Sequence, residues 1–209
     1  MAKRILLFIV FAVVLSSSTA FSYDTMHLTT LPATRDGTYG YYVGFTGGYL
    51  NTNSPAYEYL CNDFIPRTYV PGDYSVNVSS FDTLTNVKFR DVSKNPLLTE
   101  YKQAAWLLYQ MKANPGATAA IQFAIWNIFT PSAPDYEGQV DWISAAQNPL
   151  NLAGLTFNNV RVYTPISLSD GSFPSNQQEF MGVVPIPASI WLIGTGLVGL
   201  IGIRRRFTS

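Results

Sequence analysis

Cysteine and histidine are nearly missing from this chain: each occurs once in 209 residues, as Cys61 and His27. A single cysteine excludes an internal disulfide. One of each cannot furnish the usual four-ligand zinc site. A histidine-based triad would have only His27 to draw on, and that residue stands near the N-terminal end, where a mobile surface position is expected. Nothing in the sequence places it beside Cys61. Charge is scarce as well, with Asp, Glu, Lys and Arg making up 12% of the chain. Internal repeats and Pro/Gly-rich linkers are absent.

The formal charge is zero, with 13 basic and 13 acidic residues, but its distribution is uneven. Lys3, Arg4, Arg204, Arg205 and Arg206 lie at the two ends, whereas all acidic residues lie between Asp24 and Glu179. The body therefore holds 8 basic and 13 acidic residues, a net charge near −5. Such a surface has no electrostatic basis for binding nucleic acid. It also argues against long-range capture of an anionic polymer.

What the chain does have begins at its ends. Lys3 and Arg4 precede the apolar run Ile5 to Leu15, and Ser18 and Ala20 are small residues suited to cleavage between Ala20 and Phe21. This three-part pattern predicts a secretory signal peptide over residues 1–20. At the other end, Val183 to Arg206 reads VVPIPASIWLIGTGLVGLIGIRRR. The run from Ala188 to Ile203 would make a helix of about 24 Å, somewhat short of the roughly 20 residues that span a bilayer. The three arginines predict a cytoplasmic end, with the body on the far side of the inner membrane.

Between the ends, Tyr and Phe number 13 each, which suits strands. The segments from Thr38 to Leu50, Tyr57 to Cys61, Tyr74 to Val78 and, less cleanly, Leu84 to Phe89 read as strands. Thr99 is placed to cap a helix in which Tyr101, Ala104, Ala105, Leu108 and Met111 recur at helical spacing. A second helix carries the stripe Ile121, Ala124, Ile125, Ile128 and Phe129. A third covers Val140 to Gln147, and strand character returns from Leu155 to Leu168. The expected fold class is β-rich α+β: an antiparallel β-sandwich or barrel with a helical insertion at about 97–148, plus a C-terminal transmembrane sorting helix. The expected domains are the signal peptide, a body over 21–168, a polar linker over 169–182 and the terminal signal over 183–209.

Cys61 has three readings from the residues alone: a small buried hydrophobe, a partner for another chain, or a reactive thiol. Some 60 residues later, Gln122 lies off the apolar stripe of the second helix and shares a face with Trp126. Asp135, Glu137 and Asp141 could offer oxygen ligands to a calcium ion, though not at EF-hand spacing. Tyr39, Tyr41, Tyr42, Phe45 and Tyr49 could form a sugar-stacking face or ordinary strand packing.

Two resemblances join these features. Val184, Pro185, Pro187 and Ala188, followed by Trp191 and Arg204 to Arg206, resemble the VPxPA form of the PEP-CTERM sorting signals, with Ile186 where the commonest form has Glu. That resemblance implies recognition by an exosortase, transient anchoring in the inner membrane and delivery to the cell surface or an exopolysaccharide matrix. Leu60-Cys61, with Ile121-Gln122 and Ile125-Trp126, is similar to the paired motifs of bacterial thioester-forming adhesin domains. This second resemblance implies a bond between the Cys61 sulfur and the Gln122 carbonyl carbon, with Tyr59 and Trp126 as shielding aromatics. Asn62 departs from that family, which usually has an aromatic after the cysteine. The implied role is a single-use covalent adhesin, not an enzyme and without a cofactor, whose target is an amine-bearing surface or extracellular polysaccharide. The alternative is a non-covalent structural or carbohydrate-binding matrix protein with the same body.

Overall fold

The computed structural model describes residues 23–52, 56–169, 172–174 and 176–184. The signal peptide with Ala20 and Phe21, and the tail with Pro185, Pro187, Ala188, Arg204, Arg205 and Arg206, lie outside the described residues. Among the described residues no helix is long and apolar enough to cross a membrane.

Eight strands appear in chain order: β1 (Asp24–Thr30), β2 (Thr34–Arg35), β3 (Tyr42–Val43), β4 (Phe45–Leu50), β5 (Ala56–Cys61), β6 (Gly72–Ser80), β7 (Val160–Pro165) and β8 (Phe180–Val183). Six of them close into an antiparallel barrel in the order β1-β4-β5-β8-β7-β6, while β2 and β3 form a separate hairpin. Closure leaves no edge strand exposed in the barrel. Four α-helices lie between β6 and β7: α1 (Leu98–Ala113), α2 (Thr118–Phe129), α3 (Gln139–Gln147) and the short α4 (Pro149–Leu152).

Strand alternation divides the apolar residues into two cores. Met26, Leu28, Tyr59, Cys61, Tyr74, Val76, Tyr163 and Phe180 cluster inside the barrel. Leu60, Val160, Val162 and Met181 point the other way and join Tyr101, Leu107, Leu108, Ile121 and Ile125 of the helices. Each fully buried aliphatic side chain there contributes about 1.5–3 kcal/mol of transfer free energy, so this seam anchors the helical layer to the barrel wall. Gly48 marks a tight point: a Cβ there would lie 2.1 Å from the His27 carbonyl oxygen and 3.1 Å from the Tyr59 ring.

Several expectations need correction. Residues 169–182 are not simply a linker, because Phe180–Val183 is the strand that closes the barrel between β5 and β7. The body thus extends past 168, and Val183, the expected first residue of the terminal signal, belongs to this strand. His27 does not lie in a loose end; it sits in β1, pairs through Nδ1 with Asp73 Oδ1 at 2.6 Å and stacks on Tyr49. Leu84 to Phe89 forms no strand, and its flank carries only an isolated bridge from Arg90 to Pro96. Thr99 lies within α1, whose cap position is Leu97 without a side-chain cap bond.

Candidate functional site

Cys61 is the last residue of β5, paired across the ladder with Phe180 of β8. Its neighbour Leu60 faces the helices, so alternation turns the Cys61 side chain to the barrel interior, near the open end of the strand. Gln122 lies in the second turn of α2, the helix whose Phe123 and Trp126 pack against Val43 of the hairpin. The fold brings the two together. Gln122 Nε2 donates to the Cys61 carbonyl oxygen at 2.7 Å, and Gln122 Oε1 accepts from the Gly44 amide at 3.3 Å. The carboxamide is held at both ends, and Gln122 is only 1% exposed against 9% for Cys61.

Gly44 supplies that second contact because of its backbone. It joins β3 to β4 with φ +102, a conformation that L side chains rarely adopt, and a Cβ there would meet Thr118 Cγ2 at 3.0 Å. The hairpin before it is organised by Asp36. Its carboxylate accepts from the amides of Thr38 (2.9 Å), Tyr39 (2.6 Å) and Tyr41. Burial raises the Asp36 carboxyl, but these backbone donors outweigh it and hold the group below the usual carboxylate range.

The Cys61 thiol donates to the Asp63 carbonyl oxygen at 2.9 Å. Burial, reinforced by the charge of Asp63, pushes its pKa up to about 12; the Asp63 carbonyl contact, Trp126 and Lys88 act in the opposite direction. Trp126 Nε1 is buried beside the thiol. Phe64, Tyr41 and Phe123 pack around that indole at ring separations of 5.3, 6.0 and 5.1 Å.

Behind the cysteine lies a buried polar network. Glu179, fully buried, accepts from Tyr101 OH (2.6 Å), Thr164 Oγ1 (2.5 Å), Asn62 Nδ2 (2.8 Å) and the Lys88 amide (2.8 Å). Burial raises its carboxyl, and the four donors counter that. Lys88 Nζ closes a salt bridge with Asp63 Oδ2. Asn62 is thus engaged with Glu179, the residue before β8, through both its side chain and its amide, which donates to the Glu179 carbonyl oxygen.

Cys61, Gln122 and Trp126 form part of the floor of a cleft of about 640 Å³. Tyr59 does not line it; two residues before Cys61 on the same inward face, it packs on Tyr57, Tyr163 and Phe180 inside the barrel. The covering aromatics are Tyr41, Phe64, Trp126 and Phe180. His27 faces the outer side of β1, away from Cys61. The tyrosine cluster divides: Tyr41 and Tyr42 line the cleft, Tyr49 stacks on His27, and Phe45 lies under Lys112 Nζ. Among the described residues no three metal-ligating side chains gather, and Asp135 accepts from Gln139 Nε2 at 2.9 Å.

Sequence reasoning alone misses Gly44, Asp63, Lys88 and Glu179. Gly44 sits inside an aromatic strand pattern with nothing local to distinguish it from Gly47 or Gly48. Asp63 directly follows the Cys61-Asn62 pair and was the one accessible signal.

No protein-family model matches the chain, and no curated protein does. Among solved structures, the N-terminal thioester domain of a surface protein from Clostridium perfringens is similar at 12% identity and a TM-score of 0.46, covering 76% of this chain and 97% of that one.

Proposed function

We propose that the chain is an exported bacterial surface or matrix protein whose body attaches covalently to its target through a Cys61–Gln122 thioester. The observation that carries this reading is the two-point hold on the Gln122 carboxamide, between the Cys61 carbonyl and the Gly44 amide. Gly44 N–H already addresses the oxygen on which negative charge would build; its 3.3 Å contact tightens as that charge develops. Burial of both partners supplies the orientation that turns a poor electrophile into a reactive one.

In bond formation the Cys61 sulfur adds to Cδ of Gln122. The thiol proton passes to the amide nitrogen, which leaves as ammonia, and a C–S bond replaces a C–N bond. In attachment an incoming N–H or O–H nucleophile adds to the same carbon. Its proton goes to sulfur, Cys61 is regenerated as a thiol, and residue 122 stays joined to the target. The protein is consumed in one turn and acts as no enzyme. Aromatic cover by Trp126, Phe64 and Tyr41 would keep bulk water from the bond until the target arrives. The two terminal signals supply delivery: export, transient anchoring in the inner membrane and processing by an exosortase.

Intact mass of the exported protein tests the bond. The wild type should be lighter than its sequence by one ammonia, and Cys61→Ala and Gln122→Ala should not. A wild type of unmodified mass whose thiol alkylates freely in the folded state would overturn the reading. For the tail, neutral residues in place of Arg204 to Arg206 should disturb retention or processing in a fractionation experiment.

A further inference from the structure

We propose that the acceptor captured at this cleft is a hydroxyl group of a carboxylate-bearing glycan, and not the ammonium-bearing side chain of a protein; this rests on the thioester reading of Cys61 and Gln122. The cleft contains two guanidinium groups, Arg35 and Arg67, and not one carboxylate among its lining residues. The acidic side chains nearby are turned into the protein. Asp36 is spent on hairpin amides, Asp63 on Lys88, and Glu179 on its four donors. Arg67 makes no salt bridge among the described residues, and Arg35 is occupied only by the Gly40 carbonyl (2.7 Å) and the Tyr42 ring. A lysine entering here would meet like charge with nothing to neutralise it, whereas a sugar carboxylate would meet guanidinium donors.

The walls fit a sugar as well. Tyr42 and Tyr69 are exposed at the mouth, at 48% and 74%, and offer flat apolar faces. The lining also includes Thr68 and Gln178, whose side chains can hydrogen-bond a hydroxyl. A polyol satisfies such groups; an aliphatic chain does not. The body as a whole is acidic, so recognition is local to the cleft and not a matter of long-range steering.

The chemistry favours the same acceptor. At neutral pH only roughly one lysine side chain in a thousand is free amine, and the guanidinium groups repel the ammonium form that makes up the rest. A hydroxyl enters uncharged. It adds to Cδ of residue 122, the C–S bond breaks, and the hydroxyl proton passes to the departing sulfur, giving an ester and a free thiol.

The test offers the exported protein polygalacturonate, dextran and polylysine at equal concentrations of reacting groups, with conjugation read by intact mass and gel shift. Polygalacturonate should be joined about tenfold faster than polylysine, the size of one well-placed charge contact. Dextran should fall between them. The glycan adducts should be cleaved by alkaline hydroxylamine, as esters are. Arg67→Glu should lower conjugation to polygalacturonate and raise it to polylysine. Faster conjugation to polylysine, or hydroxylamine-resistant adducts, would overturn the proposal. A second arm separates it from the thioester reading: the Cys61→Ala protein, which cannot form the bond, should bind trigalacturonate more tightly than trilysine in a titration at physiological salt, and Arg67→Glu should remove that preference. The reverse preference sinks the proposal even if the bond forms. Absence of the ammonia deficit with that preference intact sinks only the covalent step.

Discussion

The seam between helices and barrel and the mouth of the barrel are built on opposite rules. At the seam, Leu60, Val162 and Met181 meet Leu108, Ile121 and Ile125 in an unbroken apolar layer. At the mouth, around Cys61, the protein buries Asp63 and Glu179 and leaves Asn62 Oδ1 and Thr68 Oγ1 without partners among the described residues. Burying such groups costs free energy that apolar packing elsewhere has to offset. The contrast teaches that stability resides in the seam, and that the mouth is a place where local stability has been given up for a shaped, polar-lined site.

Substitutions can sharpen or break that contrast. The largest effect is expected at the joint between the two regions. Glu179→Ala would strand four buried donors, and removing one member of such a network costs about 3–5 kcal/mol; chemical denaturation should show it, with β8 losing amide-exchange protection first. A uniform loss of protection across the barrel would mean that the mouth is not a separate unit. Next comes Leu108→Ala in the seam, at about 2–5 kcal/mol by denaturant midpoint. At a temperature where it stays folded, its ammonia deficit should match the wild type; a lost deficit would show that seam and mouth are coupled. Gly44→Ala should behave the other way round. Its strained backbone costs about 1–3 kcal/mol, but the donor to Gln122 Oε1 shifts, so the fraction of molecules carrying the deficit should drop well below that of the Leu108 variant.

The smallest effect concerns acid. Asp36 has a folded pKa below its unfolded value, so its contribution is present above the unfolded pKa and is lost as pH falls through the folded one. Protection factors for amide exchange at Thr38 and Tyr41, taken relative to the intrinsic rate at each pH, should therefore fall on acidification below the ordinary carboxylate range. Asp36→Asn should remove that dependence while leaving exchange in α1 unaltered. Glu179 has the opposite sign: its raised carboxyl gives stability that is fully present below the unfolded pKa and lost as pH rises through the folded one.

Much of this was legible in the chain. The three main helices are marked by apolar spacing and by Pro115, Pro131 and Pro134 between them, and α1 and α2 fall where those marks predict. The central strands are marked by aromatic and β-branched residues. The strands that complete the barrel were not. β1 reads DTMHLTT, with only Met26 and Leu28 apolar, and β8 reads FMGV after a polar stretch. Neither carries enough local preference to declare itself; each exists because its neighbours offer unpaired ladder groups and an apolar interior.

The site divides in the same way. Cys61 was readable as a candidate because it is the one cysteine, and its pairing with Gln122 because Leu60-Cys61, Ile121-Gln122 and Ile125-Trp126 resemble the thioester-domain motifs. Helical periodicity, turn chemistry and uneven charge are local properties, and the sequence by itself determined them, together with the segregation of acidic residues into the body. Only the folded chain decided that Tyr59 turns into the barrel while Trp126 covers Cys61, that Gly44 aims its amide at Gln122, and that Glu179 ties β8 behind the cysteine. Each of these depends on register between strands far apart in sequence, and a shift by a single residue would reverse which face every side chain occupies.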